Sequence, residues 1–91
     1  MPKFIIERDM PGIEKLSERD TKAAALGSNR ALAELGSGIQ WQHSYISKDR
    51  THCVYIADNE KIIRQHAEKI GSPIISITKV ETVWDPTTAD N

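Results

Sequence analysis

Ile39-Gln40-Trp41-Gln42-His43-Ser44-Tyr45-Ile46-Ser47, Lys48-Asp49-Arg50 and Thr51-His52-Cys53-Val54-Tyr55-Ile56-Ala57 follow one another without a break. The outer runs carry β-branched and aromatic residues and the charged triplet between them has the composition of a turn, so the stretch predicts a β-hairpin. A two-residue turn at Asp49-Arg50 sets His43, Tyr45, His52 and Val54 on one face. A three-residue turn groups His43 and Tyr45 with Cys53 and Tyr55 instead. Residue types alone leave both registers open. Even in the first, His43 stands about four residues from the point opposite His52, roughly 13 Å at strand rise, too far for one metal ion.

Working outward, each side of the hairpin repeats the same order. Upstream, Ser17 followed by Asp20 is a helix start, and the alanines and leucines from Ala23 to Leu35 are strong helix formers. This helix runs from about Ser17 to Leu35 and stops at Gly36-Ser37-Gly38. Downstream, Asp58 or Asn59 caps a second helix with Ile62, Ile63, His66, Ala67 and Ile70 on one stripe, ended by Gly71-Ser72-Pro73. Beyond the helices lie Lys3 to Asp9 and Ile74 to Val83, both read as strands. The order is therefore βαββαβ: an α+β, ferredoxin-like domain with a four-stranded antiparallel sheet and both helices on one face. Residues 1–84 form this domain and 85–91 a flexible polar tail.

The chain has 91 residues, 12 Lys+Arg and 13 Asp+Glu, a net charge of −1 that offers no footprint for nucleic acid or an anionic membrane. No apolar run approaches the roughly 20 residues of a membrane span, and Met1-Pro2-Lys3 leads directly into a strand pattern. Cys53 is the single cysteine and suits a reducing, cytoplasmic compartment. A domain this small buries only about 60 to 65% of its unfolded surface. The sheet face without helices is thus expected to pair two chains into a homodimer.

Three histidines, a thiol and a strand carboxylate supply ligand types for late first-row divalent metals: His43, His52 and His66 with Glu7 and Cys53. They form no close-spaced motif. Each also has a plainer reading: His43 and His52 as half-exposed strand residues, His66 as a hydrogen-bonded core histidine, Cys53 as a small buried hydrophobe, Glu7 as the partner of a neighbouring cation. Trp41, Tyr45 and Tyr55 provide apolar walls with polar tips for a small-molecule or cofactor pocket, or for a dimer core. No glycine-rich phosphate loop follows a strand.

Phe4-Ile5-Ile6-Glu7-Arg8-Asp9-Met10-Pro11-Gly12, Trp41 with Ser44-Tyr45, Cys53-Val54-Tyr55, and Arg64-Gln65-His66-Ala67 before Gly71 occur here in that order. This set resembles a family of small bacterial ferredoxin-like proteins, largely of unassigned function, that includes a nickel-binding dimeric α/β-barrel protein. The resemblance spans nearly the whole chain up to Val83. It implies the fold, a homodimeric barrel and, less directly, Ni²⁺ or another divalent transition metal. His43 and His52 depart from the usual pattern, so a role for them in metal binding does not come from the resemblance. The expected function is a small metal- or ligand-binding protein. Two alternatives stand beside it: a cofactor-free dimeric-barrel enzyme of monooxygenase or isomerase type with His66 or His43 as base, and a purely structural interaction module.

Overall fold

The computed structural model describes residues 1–90; Asn91, the last residue of the expected tail, lies outside them. The element order is β1 (Lys3–Asp9), α1 (Glu18–Leu35), β2 (Ile39–Ser47), β3 (Arg50–Ala57), α2 (Glu60–Ile70) and β4 (Ser76–Lys79). The four strands form one antiparallel sheet in the order β2-β3-β1-β4, the ferredoxin-like βαββαβ arrangement.

Local chemistry sets each boundary. Ser17 Oγ accepts the Asp20 N–H at 3.1 Å and Asn59 Oδ1 accepts the Ile62 N–H at 3.1 Å, so both helices begin on side-chain caps. Gly71, at φ 64°, turns α2 off while the Ser72 N–H reaches back to the Ala67 carbonyl at 3.0 Å. Because α1 begins at Glu18 and Ile13–Lys15 is a separate 3-10 turn, Glu14 and Glu18 do not share a helix face.

The hairpin turn falls at Lys48-Asp49, a position neither expected register used, since Ser47 lies opposite Arg50. Asp49 takes φ 58°, a left-handed conformation an aspartate tolerates. Its backbone and side chain are lashed to the loop after β1: Asp49 Oδ1 accepts the Gly12 N–H at 2.8 Å and the Asp49 carbonyl accepts the Met10 N–H at 2.8 Å. A bulge between Trp41 and His43 then shifts the register. His43 pairs with Val54 and Tyr45 with His52, so His43 stands two residues from the point opposite His52, half the expected separation.

The last strand is also shorter than the expected Ile74 to Val83. It pairs with β1 from Glu7 back to Phe4, and the Val80 N–H adds one bond to the Lys3 carbonyl at 2.8 Å. There β1 ends, and no partner remains for Glu81 to Val83. Pro86–Asp90 forms a short 3-10 segment.

The core lies between the sheet and the helices, built from Phe4, Ile6, Ile39, Cys53, Tyr55, Ala57 and Ile63, with Leu32, Leu35 and Ile77 against it. α2 buries Ile63, His66 and Ala67, whereas α1 buries only Ala31. No helix is long and apolar enough to cross a membrane among the described residues.

This asymmetry predicts a mutational contrast. Ile63→Ala, at a fully buried position, should lower stability by about 2 to 5 kcal/mol. Leu26→Ala, at a position 47% exposed on α1, should stay within about 0.5 kcal/mol of wild type in urea titrations. Comparable losses would contradict the packing described.

Candidate functional site

Successive strand residues point to opposite faces, so β1 deals Phe4, Ile6 and Arg8 to the helix-covered face and Ile5, Glu7 and Asp9 to the open one. Cross-strand pairing extends the division. Glu7 lies opposite His52, and Tyr45 and His43 fall on that same open face. Arg8, Cys53 and Tyr55 share the covered one. The five side chains expected as metal ligands are therefore split by the sheet. Glu7, His52 and His43 lie on one side, Cys53 and His66 on the other.

On the open face Glu7 Oε1 is 3.3 Å from His52 Nδ1, and Glu7 Oε2 is 4.0 Å from Arg50 Nη1 and accepts from Ser76 Oγ at 3.5 Å. His52 Nε2 points away from the carboxylate and lies 3.5 Å from Ser47 Oγ. His43 stacks edge-on against Tyr45 with ring centroids 5.1 Å apart. Among the described residues no three of His, Cys, Asp and Glu come together in a way that would hold a metal ion. One chain thus supplies a carboxylate–imidazole pair and no complete coordination sphere.

The covered face holds a cleft of about 840 Å³ between α1 and the β2-β3 end of the sheet. The cause is the composition of α1. Its lining residues, Thr21, Ala24, Ala25, Ser28 and Ala31, recur at helical spacing and are all small, so the N-terminal half of the helix cannot fill the space above the sheet. Trp41, Ile46 and Ile70 add apolar wall. The bulge in β2 puts both Trp41 and Ser44 on the cleft side, where Trp41 Nε1 donates to Ser44 Oγ at 2.9 Å.

At the floor lies Arg8, only 2% exposed. Its Nη1 reaches Cys53 Sγ at 3.5 Å, a weak thiol acceptor, while Nε and Nη2 have no hydrogen-bond partner. None of the ion pairs among the described residues includes it. A guanidinium keeps its charge inside proteins, and an uncompensated buried charge is strongly unfavourable.

The neighbours of Arg8 register that charge. His66 is fully buried beside Tyr55, ring centroids 5.5 Å apart, with Nε2 3.3 Å from Ser28 Oγ and Nδ1 unpartnered. Burial first, and the Arg8 charge second, push its pKa down to about 4 against the pull of the Ser28 hydrogen bond. Burial raises the Tyr55 phenol above its ordinary value, with Cys53 adding to the rise and Arg8 opposing it.

Trp41 and Tyr55, two of the three aromatic residues expected to form a pocket, line this cleft together with Cys53. Tyr45 lies on the other face, 64% exposed. His66 does not line the cleft, so a base at that position would not face a ligand bound there. Arg8 is the residue the sequence reading passed over. Its signal was present: the alternation Phe4, Ile6, Arg8 assigns it to the same face as two buried hydrophobes.

Residues 4–80 match the model of a family described as nickel responsive protein SCO4226-like. We found no curated protein that matches the chain. The crystal structure of SCO4226 from Streptomyces coelicolor A3(2) superposes with a TM-score of 0.72 at 12% identity, covering 90% of this chain and 99% of that one. At that identity the likeness speaks for the fold alone.

The depressed His66 pKa has a measurable consequence. An unfolded chain takes up the proton near pH 6.5 and the folded one only near 4, so this contribution to stability is whole above about pH 6.5 and is lost as pH falls toward 4. Between those limits wild type should lose on the order of 3 kcal/mol that His66→Met does not lose. Urea midpoints of both proteins at pH 7, 5.5 and 4.5 check this; parallel curves would contradict it.

Proposed function

The chain belongs to the SCO4226-like family of nickel responsive proteins, and from that premise we propose that it is a small cytoplasmic metal-binding protein acting as a homodimer. The observation that carries the reading is the contact between Glu7 Oε1 and His52 Nδ1 at 3.3 Å on the open sheet face. A carboxylate that holds one ring nitrogen fixes the orientation of the imidazole and directs the other, Nε2, outward as a ligand for Ni²⁺ or another late first-row divalent ion. His43, two positions along the same face, is a second imidazole within the same patch.

The donors of one chain fit a shared site better than a private one. Two copies whose open faces meet would contribute two His52 imidazoles, each oriented by its Glu7, and two His43 imidazoles beside them, a set of nitrogen donors that one chain lacks. Ile5, 38% exposed, and Tyr45 supply apolar contact area for such a pairing. A bound ion would join the two faces through imidazole nitrogens, with each Glu7 holding its ring from behind.

Titration calorimetry of untagged protein with NiCl₂ at about pH 7.5 should show binding that weakens by at least about tenfold in His52→Ala and more moderately in Glu7→Gln. Binding should also fade near pH 5.5, because an imidazole must be deprotonated to coordinate. Unchanged affinity in His52→Ala would remove the site from this face. In sedimentation at micromolar concentration the chain should run at twice its mass, and a monomer throughout would remove the shared site.

A further inference from the structure

The cleft beneath α1 lies across the sheet from Glu7 and His52, so what it binds is a separate question from metal. At its floor lies a buried cation, Arg8, whose Nε and Nη2 have no hydrogen-bond partner among the described residues and next to no exposed surface, so an incoming acceptor reaches them by displacing the side chains that cover them. Both belong to a planar fork whose geometry matches the two oxygens of a carboxylate. The other charged groups at the cleft are already engaged: Lys69 Nζ donates to Glu34 Oε2 at 2.9 Å, and Glu14 Oε1 accepts the Asp49 N–H at 3.1 Å. One unanswered positive charge calls for one negative charge. The walls above it are chiefly apolar, and about 840 Å³ lies within the range of small-molecule sites.

We propose that this cleft binds a small monocarboxylic acid with an apolar body, its carboxylate seated on Arg8 and its hydrocarbon or aromatic part lying between Trp41 and the small-residue face of α1. The geometry disfavours a phosphate dianion, which would need a second cation, and a neutral hydrophobe, which would leave the guanidinium unanswered. The small side chains of α1 then have a role: each larger residue there would occupy the volume the ligand needs.

Decanoate, kept below its micelle threshold, is the probe, with decan-1-ol as its uncharged match and inorganic phosphate as a headgroup without a body. Calorimetry on the full chain should give one decanoate per chain, with affinity at least about tenfold lower in Arg8→Met, because the charge-assisted hydrogen bonds are lost. Decan-1-ol should bind both proteins within about twofold of each other. Ala24→Phe, which keeps Arg8 and plugs the cleft from α1, should abolish decanoate binding. Equal decanoate affinity in wild type and Arg8→Met overturns the assignment, as does absence of binding at about 1 mM. Phosphate binding as tightly as decanoate overturns the ligand class. Should Arg8→Met fail to fold, Ala24→Phe decides alone, and retained affinity in it overturns the proposal.

Discussion

Both edges of β1 are hydrogen-bonded, to β3 along one side and to β4 along the other. A strand held on two sides cannot slip by one residue without exchanging its faces, and here the exchange would bring Glu7 into the core and turn Phe4 and Ile6 outward. That constraint gives every other group its surroundings. It sends one charge of the Glu7-Arg8 pair to the open face, where the carboxylate meets His52, and the other beneath α1, where the guanidinium meets a thiol and a phenol but no carboxylate. Adjacent residues of opposite charge are thereby held on opposite sides of one sheet, unable to neutralise each other directly.

The buried guanidinium shapes its surroundings at a cost. Its charge helps keep His66 neutral, and an imidazole so held contributes to the core as a polar but uncharged side chain whose Nδ1 finds no partner. A core of hydrophobes alone would be the more stable solution at Arg8, since exchange of a buried ion for apolar atoms is often neutral or favourable. α1 compounds the effect, because a helix that buries only Ala31 contributes little apolar contact of its own. Stability has been given up on one side of the molecule in two independent ways, at the charge and at the helix above it, and both meet at the same cleft.

The elements were legible because their signals are local. Caps at Ser17 and Asn59, glycines after both helices, and β-branched runs each act within a few residues, and together they suffice for a βαββαβ order. The turn and the bulge were not legible. Lys48-Asp49 and Asp49-Arg50 are equally polar, and what selects the former is a left-handed Asp49 held by Met10 and Gly12, far away in sequence. The site was hidden for a related reason. Alanines and serines in α1 read as helix propensity, and only the packed structure reveals that small residues on that face leave a void. Trp41 and Tyr55 were recognised as wall material, while Tyr45, of the same chemistry, went to the opposite face because the bulge follows Trp41.

The sheet order has a consequence for how the chain is made. β1 is one of the two interior strands and is synthesised before the other three, yet Phe4 pairs with Tyr55 and Ile6 with Ile77, residues that leave the ribosome much later. A nascent chain therefore carries Phe4 and Ile6 without either neighbour until the hairpin and then the final strand emerge, and such non-local pairing slows folding and lengthens exposure of apolar segments. The hairpin of β2 and β3 closes through a turn of two residues and is the natural first template. On this topology β1 inserts last, between a preformed hairpin and an arriving edge strand, so the segment bearing Glu7 and Arg8 takes its two-sided placement only as the fold is completed.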